Sequence, residues 1–404
     1  MTDKLYERDS HLKSCRARVR ACESAEDGFD ILLDRTAFFP EAGGQPSDTG
    51  RLGPRRMLRA REAAGGEVLH RADGPLPAGE SVELELDWAR RFDFMQQHSG
   101  EHLLSFAFHS LYGANNVGFH LAEADYATID FDLPLSPEQR RRAEAFANEL
   151  VWRCLPIRAE TYESPEALER AGVTLRKQAG GLEPPIRVVT VEGADRCTCC
   201  APHCKSSGEI GLIFITDAMA YKGGTRIFFV CGGRALKHLA AAHDALDGLA
   251  RRFSCAREQA SAAVEKLQNE FAASRRRERT LGAALNGYRA AELRAAAEPL
   301  RRGSLMLRLY DGLEAAELKA LAQDAAGGED FCVLLSRNAG RLAYAVATPP
   351  GFSPDAGELI QAVNAATGGK GGGRNGFAQG MAPSDAGAQE TLEQLRSYFF
   401  RRFA

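Results

Sequence analysis

Four of the ten cysteines are crowded into eight residues, and a histidine stands among them: Cys197, Cys199, Cys200, His203 and Cys204. Thiolate and imidazole together suit zinc, which proteins usually hold tetrahedrally by sulfur and nitrogen. In a small secreted chain, so many cysteines would instead suggest a disulfide framework. The first residues lack the apolar core of a signal peptide, and no run of about 18 apolar residues could span a bilayer. We therefore expect a cytoplasmic protein without membrane contact, whose fold brings further ligands to this cluster.

A second half-site lies about 97 residues upstream. In His98-Ser99-Gly100-Glu101-His102, the two histidines are four residues apart, and such positions share one face of a helix. Helical patterning runs over residues 88–112, so both imidazoles can meet one metal ion. The alternatives are ordinary helical histidines, a separate structural knuckle, or cysteines that face a core. Two half-sites in one cytosolic chain favour a single shared zinc ion.

The length and composition predict several globular domains. A chain of 404 residues, 44% hydrophobic and 26% charged, fits two or three domains and excludes wholesale disorder, a collagen and a membrane bundle. A net charge of -3 excludes a protein that coats nucleic acid by bulk positive charge. Any nucleic-acid partner must therefore bind to local patches.

The pattern of apolar residues predicts an α+β protein. Short alternating strands over residues 1–90 indicate a small β-barrel, and mixed helix and strand follow over 91–233. The stretch 234–299 has heptad-like apolar spacing and predicts one long helix, a helical hairpin or a coiled-coil arm; a helix packed on its own domain is the alternative. Residues 300–404 begin a new αβ domain.

Several motifs resemble those of the AlaX family, free-standing relatives of the editing domain of alanyl-tRNA synthetase. They follow the family's order and cover nearly the whole chain. The glycine-rich motif over 36–50 resembles that of the barrel preceding the editing domain. The zinc motifs are 97–104 and Cys199-x-x-x-His203 with 207–211, and 116–120 resembles the segment after the first zinc helix. The glycine run at 368–374, with 377–380, resembles the DHH-associated domain that ends the long form of the family.

The resemblance implies an activity and a metal site. The family hydrolyses the ester that joins serine, and also glycine, to the terminal adenosine of alanine tRNA. A pocket sized for alanine excludes these amino acids poorly, so a second hydrolytic site supplies the discrimination. By position, one zinc ion per chain is held by His98, His102, Cys199 and His203.

Two further residues are candidates for catalytic roles. Glu101 lies beside a ligand and can act as a general base or orient water, unless its side chain points off the metal face. Thr36 stands where the family has a threonine able to hydrogen-bond a substrate hydroxyl; a strand-end threonine is the alternative.

The resemblance also implies contacts with substrate or tRNA, carried by Gly43, Gly44, Gln45, His120, Lys370 and Arg374. The glycine run at 368–373 is either a flexible linker or a cradle of backbone N–H groups for phosphate. The implied partner is alanine tRNA mischarged with serine or glycine. A homodimer through the arm or the carboxy-terminal domain is compatible with the pattern.

The chain departs from the family at the second zinc motif. Ala201-Pro202 replaces the usual Gly-Thr, and Cys197, Cys200 and Cys204 offer alternative sulfur ligands. A non-catalytic, zinc-containing tRNA-binding protein is therefore a rival interpretation. A metalloprotease of the His-x-x-Glu-His type is another, although it leaves Cys199 and His203 unexplained. With only about 90 residues before the first zinc motif, we expect neither an aminoacylation domain nor an ATP site.

Overall fold

The computed structural model describes residues 1–121, 126–176, 183–349, 351 and 354–403. Helices and strands are mixed along the chain, which confirms the α+β class. The chain divides into two compact units, Met1–Arg252 and Phe253–Ala404. Throughout the described ranges, every helix is too short or too polar to cross a lipid bilayer.

The first 90 residues are almost entirely strand. Six of the strands close into a barrel in the order β2-β3-β7-β6-β5-β8, and β1 pairs with β4. In β8 the side chains of Val82 and Leu84 point into the barrel core, whereas their neighbours are exposed. This alternation is the period-2 pattern of a half-buried strand. The strands are β1 (Asp3–Lys4), β2 (Ser14–Ala25), β3 (Gly28–Leu33), β4 (Arg35–Thr36), β5 (Gly50–Leu52), β6 (Arg55–Ala63), β7 (Glu67–Ala72) and β8 (Ser81–Leu86).

Helix α1 (Trp88–Tyr112) follows the barrel directly and has the predicted bounds. The Asp87 side chain caps its first turn by accepting a hydrogen bond from the Arg90 N–H. Gly113 ends it in the left-handed region, at φ +69°, where a residue without Cβ is favoured. Buried residues on α1 contribute to the largest apolar core of the first unit.

Two sheets complete the first unit, in the orders β14-β15-β10-β9 and β11-β12-β13. The second sheet carries the cysteine cluster, because β13 ends directly before Cys199. The elements after α1 are β9 (Asn116–Leu121), β10 (Ala127–Phe131), α2 (Pro137–Trp152), β11 (Ile157–Tyr162), α3 (Pro165–Arg170), β12 (Ile186–Val191), β13 (Arg196–Thr198), β14 (Ile213–Tyr221), β15 (Gly224–Cys231) and α4 (Gly232–Arg252).

A buried ion pair ties the glycine-rich loop between β4 and β5 to α1. Arg91 of α1 and Asp48 of the loop are both fully buried, and the guanidinium donates to the carboxylate. It also donates to the carbonyl oxygens of Ser10 and Ala37. A buried charge pair with its remaining donors satisfied holds a defined geometry. The pair thus fixes the loop beside the helix that carries both predicted histidine ligands.

The second unit contains a six-stranded sheet in the order β16-β17-β18-β19-β21-β20. Strands β17 and β18 are parallel and are joined through α6; the other neighbours are antiparallel. Most residues of β18 and β19 are buried. The elements are α5 (Ala260–Ala295), β16 (Glu298–Pro299), β17 (Ser304–Asp311), α6 (Ala315–Ala325), β18 (Phe331–Asn338), β19 (Arg341–Ala347), α7 (Ala356–Thr367), β20 (Lys370–Arg374), β21 (Phe377–Ala382) and α8 (Ala388–Phe403).

The structure decides between the alternatives at two places. The proline-free stretch 234–298 forms two helices and not one, because α4 ends at Arg252 and Ser254 adopts a left-handed φ of +50° before α5 begins. The glycine run is not a linker. Lys370–Arg374 is a strand paired with β21, and Cβ atoms at Gly371 and Gly373 would collide with the β21 backbone. The glycines therefore permit close strand approach.

Candidate metal centre

The four predicted metal ligands meet in the first unit. His98 and His102 come from one face of α1, and Cys199 and His203 come from the loop after β13. Their ligand atoms all lie within 4.8 Å of one another. The Cys199 Sγ atom is 3.4 Å from His98 Nε2 and 3.3 Å from His203 Nε2. Residues about 97 positions apart thus converge on one small volume.

Each histidine is held in orientation through its other ring nitrogen. An oxygen of a neighbouring side chain lies 2.8 to 3.2 Å from each Nδ1 atom: Gln45 Oε1 at His98, Ser99 Oγ at His203 and Asp195 Oδ2 at His102. Partners of this kind fix the ring orientation and, by hydrogen bonding, the tautomer of metal-binding histidines. The Nε2 atoms are therefore the ones available to a metal.

The electrostatics distinguish Cys199 from its neighbours. Burial raises the pKa of its thiol, but the imidazoles of His98, His203 and His102 around the sulfur outweigh burial and hold the pKa well below its usual value. The pKa values of the other cluster thiols are all raised by burial: Cys197, Cys200 and Cys204, the last to about 12. Of these four cysteines, Cys199 is the one poised as a thiolate.

The histidines at the site differ in their affinity for protons. Burial lowers the pKa of His203 to about 3, so this ring is neutral and offers a lone pair. Burial also lowers the pKa of His102, but the Asp195 carboxylate and the Cys199 sulfur, which accept from the ring, raise it well above its ordinary value. One thiolate and three imidazoles form a donor set that fits zinc.

A cavity of about 590 Å³ is lined by three of the four ligands, His98, His102 and Cys199. Glu101 lines it, is 4% exposed, and has Oε2 at 3.8 Å from His102 Nε2. Its Oε1 atom accepts hydrogen bonds from Ser105 Oγ and, at 2.6 Å, from Asn116 Nδ2. The carboxylate therefore faces the cavity on the metal side, held by two donors. The volume of the cavity is ordinary for a small-ligand site.

The predicted substrate residues of the barrel loop and β9 have different positions. Gly43 lines the cavity, whereas Gly44 and Gln45 do not. Gly44 packs against the carbonyl of Phe119, where a Cβ atom would be too close. Gln45 is fully buried against His98, so the structure places it behind a metal ligand. His120 is exposed on β9 and lies outside the cavity lining.

Thr36 lies inside the barrel and not in the cavity wall. Its side chain is fully buried, with Oγ1 at 2.7 Å from His70 Nε2. The hydroxyl also accepts a hydrogen bond from the Phe38 N–H, one residue before the cavity-lining Phe39. Lys370 and Arg374 are exposed on strand β20 of the second unit.

Comparisons with known proteins show what the chain is similar to. Residues 186–228 match the family described as the threonyl and alanyl tRNA synthetase second additional domain. The alanyl-tRNA editing protein Aarsd1 of Mus musculus is 29% identical over 98% of this chain and 97% of its own length. The alanyl-tRNA editing protein AlaX-L of Pyrococcus horikoshii is 32% identical over 59% of this chain and 60% of its own length. The chain is AlaX-like, because it resembles alanyl-tRNA editing proteins along nearly its whole length.

Longer proteins and solved structures also resemble this AlaX-like chain. An alanine–tRNA ligase of Korarchaeum cryptofilum is 30% identical over 95% of this chain, which matches 44% of the ligase. The C-Ala domain of Aquifex aeolicus alanyl-tRNA synthetase is 23% identical over 25% of this chain and 95% of that domain. Its TM-score of 0.24 is too low to support a shared fold.

Two residues behind the AlaX-like site were not predicted from the sequence. Asp195 is fully buried at its carboxylate and links His102 to Arg176, whose Nε donates to it at 2.7 Å. Arg187 of β12 accepts the Cys199 N–H at its carbonyl and donates to the Cys199 carbonyl through Nη1. An acidic residue between the half-sites was a usable signal for Asp195. Nothing in the sequence pattern marks Arg187.

The departure from the family motif is accommodated by packing. Ala201 is buried with Tyr6 and Phe39 in a small apolar cluster. Arg187 Nη1 also donates to the Ala201 carbonyl at 2.9 Å. The loop that carries Cys199 and His203 is thus anchored on both sides of Ala201, although Pro202 supplies no N–H group.

Proposed function

We propose that this chain is a zinc-dependent hydrolase that deacylates alanine tRNA mischarged with serine or glycine. The single observation that carries the proposal is the convergence of a thiolate and three imidazoles within 4.8 Å, beside a cavity that the Glu101 carboxylate lines. The relatives' names, which describe editing of alanyl-tRNA, support the same activity. A trans-acting hydrolase of this kind removes the errors that a pocket sized for alanine cannot prevent.

His98, His102, Cys199 and His203 would hold the metal. A bound zinc ion supplies Lewis-acid chemistry for ester hydrolysis. Gln45, Ser99 and Asp195 orient the three imidazoles, and Arg187 orients the backbone at Cys199. These partners keep the ligand atoms directed at one point before substrate arrives.

Glu101 is the proposed general base. Its Oε1 atom is occupied by Ser105 and Asn116, which leaves Oε2 as the oxygen nearest the metal side of the cavity. A carboxylate held in this way can take a proton from a water that attacks the ester carbonyl. It can then return the proton to the departing ribose oxygen.

Thr36 enters the proposal as a positioning residue. Because its hydroxyl holds the Phe38 N–H and pairs with His70, it sets the backbone just before Phe39, which lines the cavity. For Thr36 to contact the seryl hydroxyl directly, its hydroxyl would have to leave His70 and bind the substrate instead. Gly43 is the member of the barrel-loop set that borders substrate space.

The second unit is proposed to contact the tRNA body. Lys370 and Arg374 are exposed on the glycine-rich strand β20, where the lack of intervening side chains lets a phosphate backbone approach. His120, exposed on β9, is proposed as a tRNA contact beside the cavity.

A homodimer through α5 is also part of the proposal. Apolar residues recur at heptad-like spacing along this helix, and five of them are exposed in the chain: Leu267, Phe271, Leu281, Leu285 and Tyr288. Such a stripe is typical of a coiled-coil seam. Light scattering should give twice the chain mass, and the double variant L281E/L285E should give the mass of one chain.

The decisive experiment is a deacylation assay with seryl-, glycyl- and alanyl-tRNA(Ala), with and without a chelator. We expect hydrolysis of the mischarged species and its loss on chelation or in C199A, while C200A, the matched control, keeps both zinc and activity. If the zinc-loaded protein hydrolyses none of these substrates, the hydrolase hypothesis is wrong and the non-catalytic tRNA-binding protein remains. Cleavage of a peptide substrate without tRNA hydrolysis would favour the protease.

A further inference from the structure

Arg187 is a buried arginine with hydrogen-bonding capacity left over. It is 8% exposed and lines the cavity in front of the metal ligands. Its Nη1 group donates to the carbonyl oxygens of Cys199 and Ala201, at 2.8 and 2.9 Å. Its Nε atom is buried without a partner, and Nη2 has no hydrogen bond to any residue in the described ranges. One edge of the guanidinium, formed by Nε and Nη2, is therefore open.

The charge of Arg187 also lacks a carboxylate partner among the residues described. Arg176, the other arginine of the cavity wall, is paired with Asp195. Of the acidic groups in the wall, Glu62 is paired with Lys4, Glu101 is held by neutral donors, and Glu183 is exposed to solvent. A buried cation is costly unless an anion neutralises it. The arrangement therefore calls for an anionic group that arrives with the ligand.

A smaller cleft of about 430 Å³ lies on the other side of the Cys199 loop, and Arg187 borders it too. Its other cations already have carboxylate partners: Arg8 with Asp3, Arg158 with Glu192, and Lys205 with Asp9. Glu7 and Glu160 add negative charge there. An anion is thus favoured in the front cavity, which His98, His102 and Cys199 line, over the cleft behind, which His203 borders.

We propose that the open edge of Arg187 binds the phosphate on the 5′ side of the terminal adenosine. This inference rests on the proposed function, because it takes the aminoacyl ester of a terminal nucleotide as the substrate. In such a substrate the ester and the phosphate are separated by one ribose. The Nε and Nη2 donors of arginine match two phosphate oxygens in a bidentate pair. Arg187 would therefore set the distance from the phosphate to the metal ligands, since it also holds the backbone of Cys199.

Two small substrates test the assignment without any variant. They are 3′-O-seryl-adenosine and the same ester carrying a 5′-phosphate. If Arg187 binds the phosphate, the phosphorylated ester should be hydrolysed with a kcat/KM about 10- to 100-fold higher, the range expected for a hydrogen bond to a charged group. Equal kcat/KM values, in a protein that does hydrolyse seryl-tRNA(Ala), would overturn the inference. Failure to hydrolyse any seryl ester would instead remove the proposed function.

The variant R187Q completes the test, with R158Q as the matched control from the cleft behind. Because Arg187 also holds the Cys199 loop, R187Q should lower kcat/KM for both esters, but more for the phosphorylated one, so that the gain given by the phosphate is lost. R187K keeps the positive charge but loses the bidentate donor geometry of the guanidinium. It should recover part of the increase in kcat/KM that the phosphate gives. Zinc content, measured in parallel, should stay at one ion per chain. An equal loss on both substrates, or loss of zinc, would mean that Arg187 only braces the Cys199 loop, and the phosphate assignment would be wrong.

Discussion

Glu101 is the residue at which the proposed chemistry can be separated from metal binding. The variant E101Q keeps the size of the side chain and removes its capacity to accept a proton. We expect kcat to fall by about 10²- to 10⁴-fold, the usual contribution of a general base. Zinc content should not change, because Glu101 is outside the group of four ligand atoms. The control N116A removes one donor to the Glu101 carboxylate and should lower kcat by less. Equal activity of E101Q and the parent protein would exclude Glu101 as the general base.

His70 gives the barrel a predictable dependence on pH. Burial lowers its pKa to about 4, against the smaller, opposing effect of its hydrogen bond to the Ile31 carbonyl. Between pH 6.5 and 4 the unfolded chain takes up a proton at this residue and the folded chain does not. Stability from this group is therefore complete above pH 6.5 and is lost as the pH falls, by about 3 kcal/mol in total.

The matched variant is H70Q, compared with the parent protein by denaturant unfolding at several pH values. The difference in unfolding free energy between the two proteins should shrink by about 3 kcal/mol from pH 7 to pH 4. A difference that stays constant over this range would show that His70 is not kept neutral by burial.

At the scale of residues, what could be predicted depended on local spacing. His98 and His102 are four apart on a helix, and Cys199 and His203 are four apart in a loop, so each pair was visible in the sequence. Asp195, Arg187 and Ser99 act only because β12, β13 and α1 bring them behind the ligands. Gln45 was predicted to bind substrate, yet its partner is His98. Such contacts depend on tertiary packing that spacing does not encode.

At the scale of elements, α1 requires a glycine at its contact with β15. A methyl group at Gly100 would overlap the Cys231 sulfur, whereas one at Gly282 of α5 would meet nothing within 4 Å. Alanine favours a helix over glycine by about 1 kcal/mol. We expect G282A to be stabilising by about that amount and G100A to be destabilising by about 1 to 3 kcal/mol, because overpacking a close contact outweighs propensity. Denaturant unfolding of both variants checks the signs; a stabilised G100A would contradict the contact.

The predicted elements agree with the structure where the apolar periodicity ends at a residue that terminates a helix. Helix α1 has the bounds predicted from its apolar pattern, and Gly113 ends it. The strand at the glycine run was not predicted, because a strand made of glycines shows no alternation and is revealed only by its partner, β21. The sequence left one helix and two helices open over 234–299, since the break at Ser254 carries neither glycine nor proline.

At the scale of the whole molecule, each compact unit has apolar cores of its own. In the first unit, one core lies inside the barrel and another is centred on α1. In the second unit, the two faces of the six-stranded sheet support separate cores. All four candidate metal ligands belong to the first unit. A ligand that binds only one folded unit stabilises that unit by mass action.

We therefore expect two thermal transitions in scanning calorimetry, of which only one responds to the metal. Zinc at about 1,000 times its dissociation constant contributes about 4 kcal/mol, so chelation should lower the first unit's transition by roughly 10 °C. The second transition should stay within about 1 °C. C199A should show the lowered transition without chelator, and G282A should shift only the transition that chelation leaves in place. A single transition that moves as a whole would mean that the two units unfold as one cooperative body.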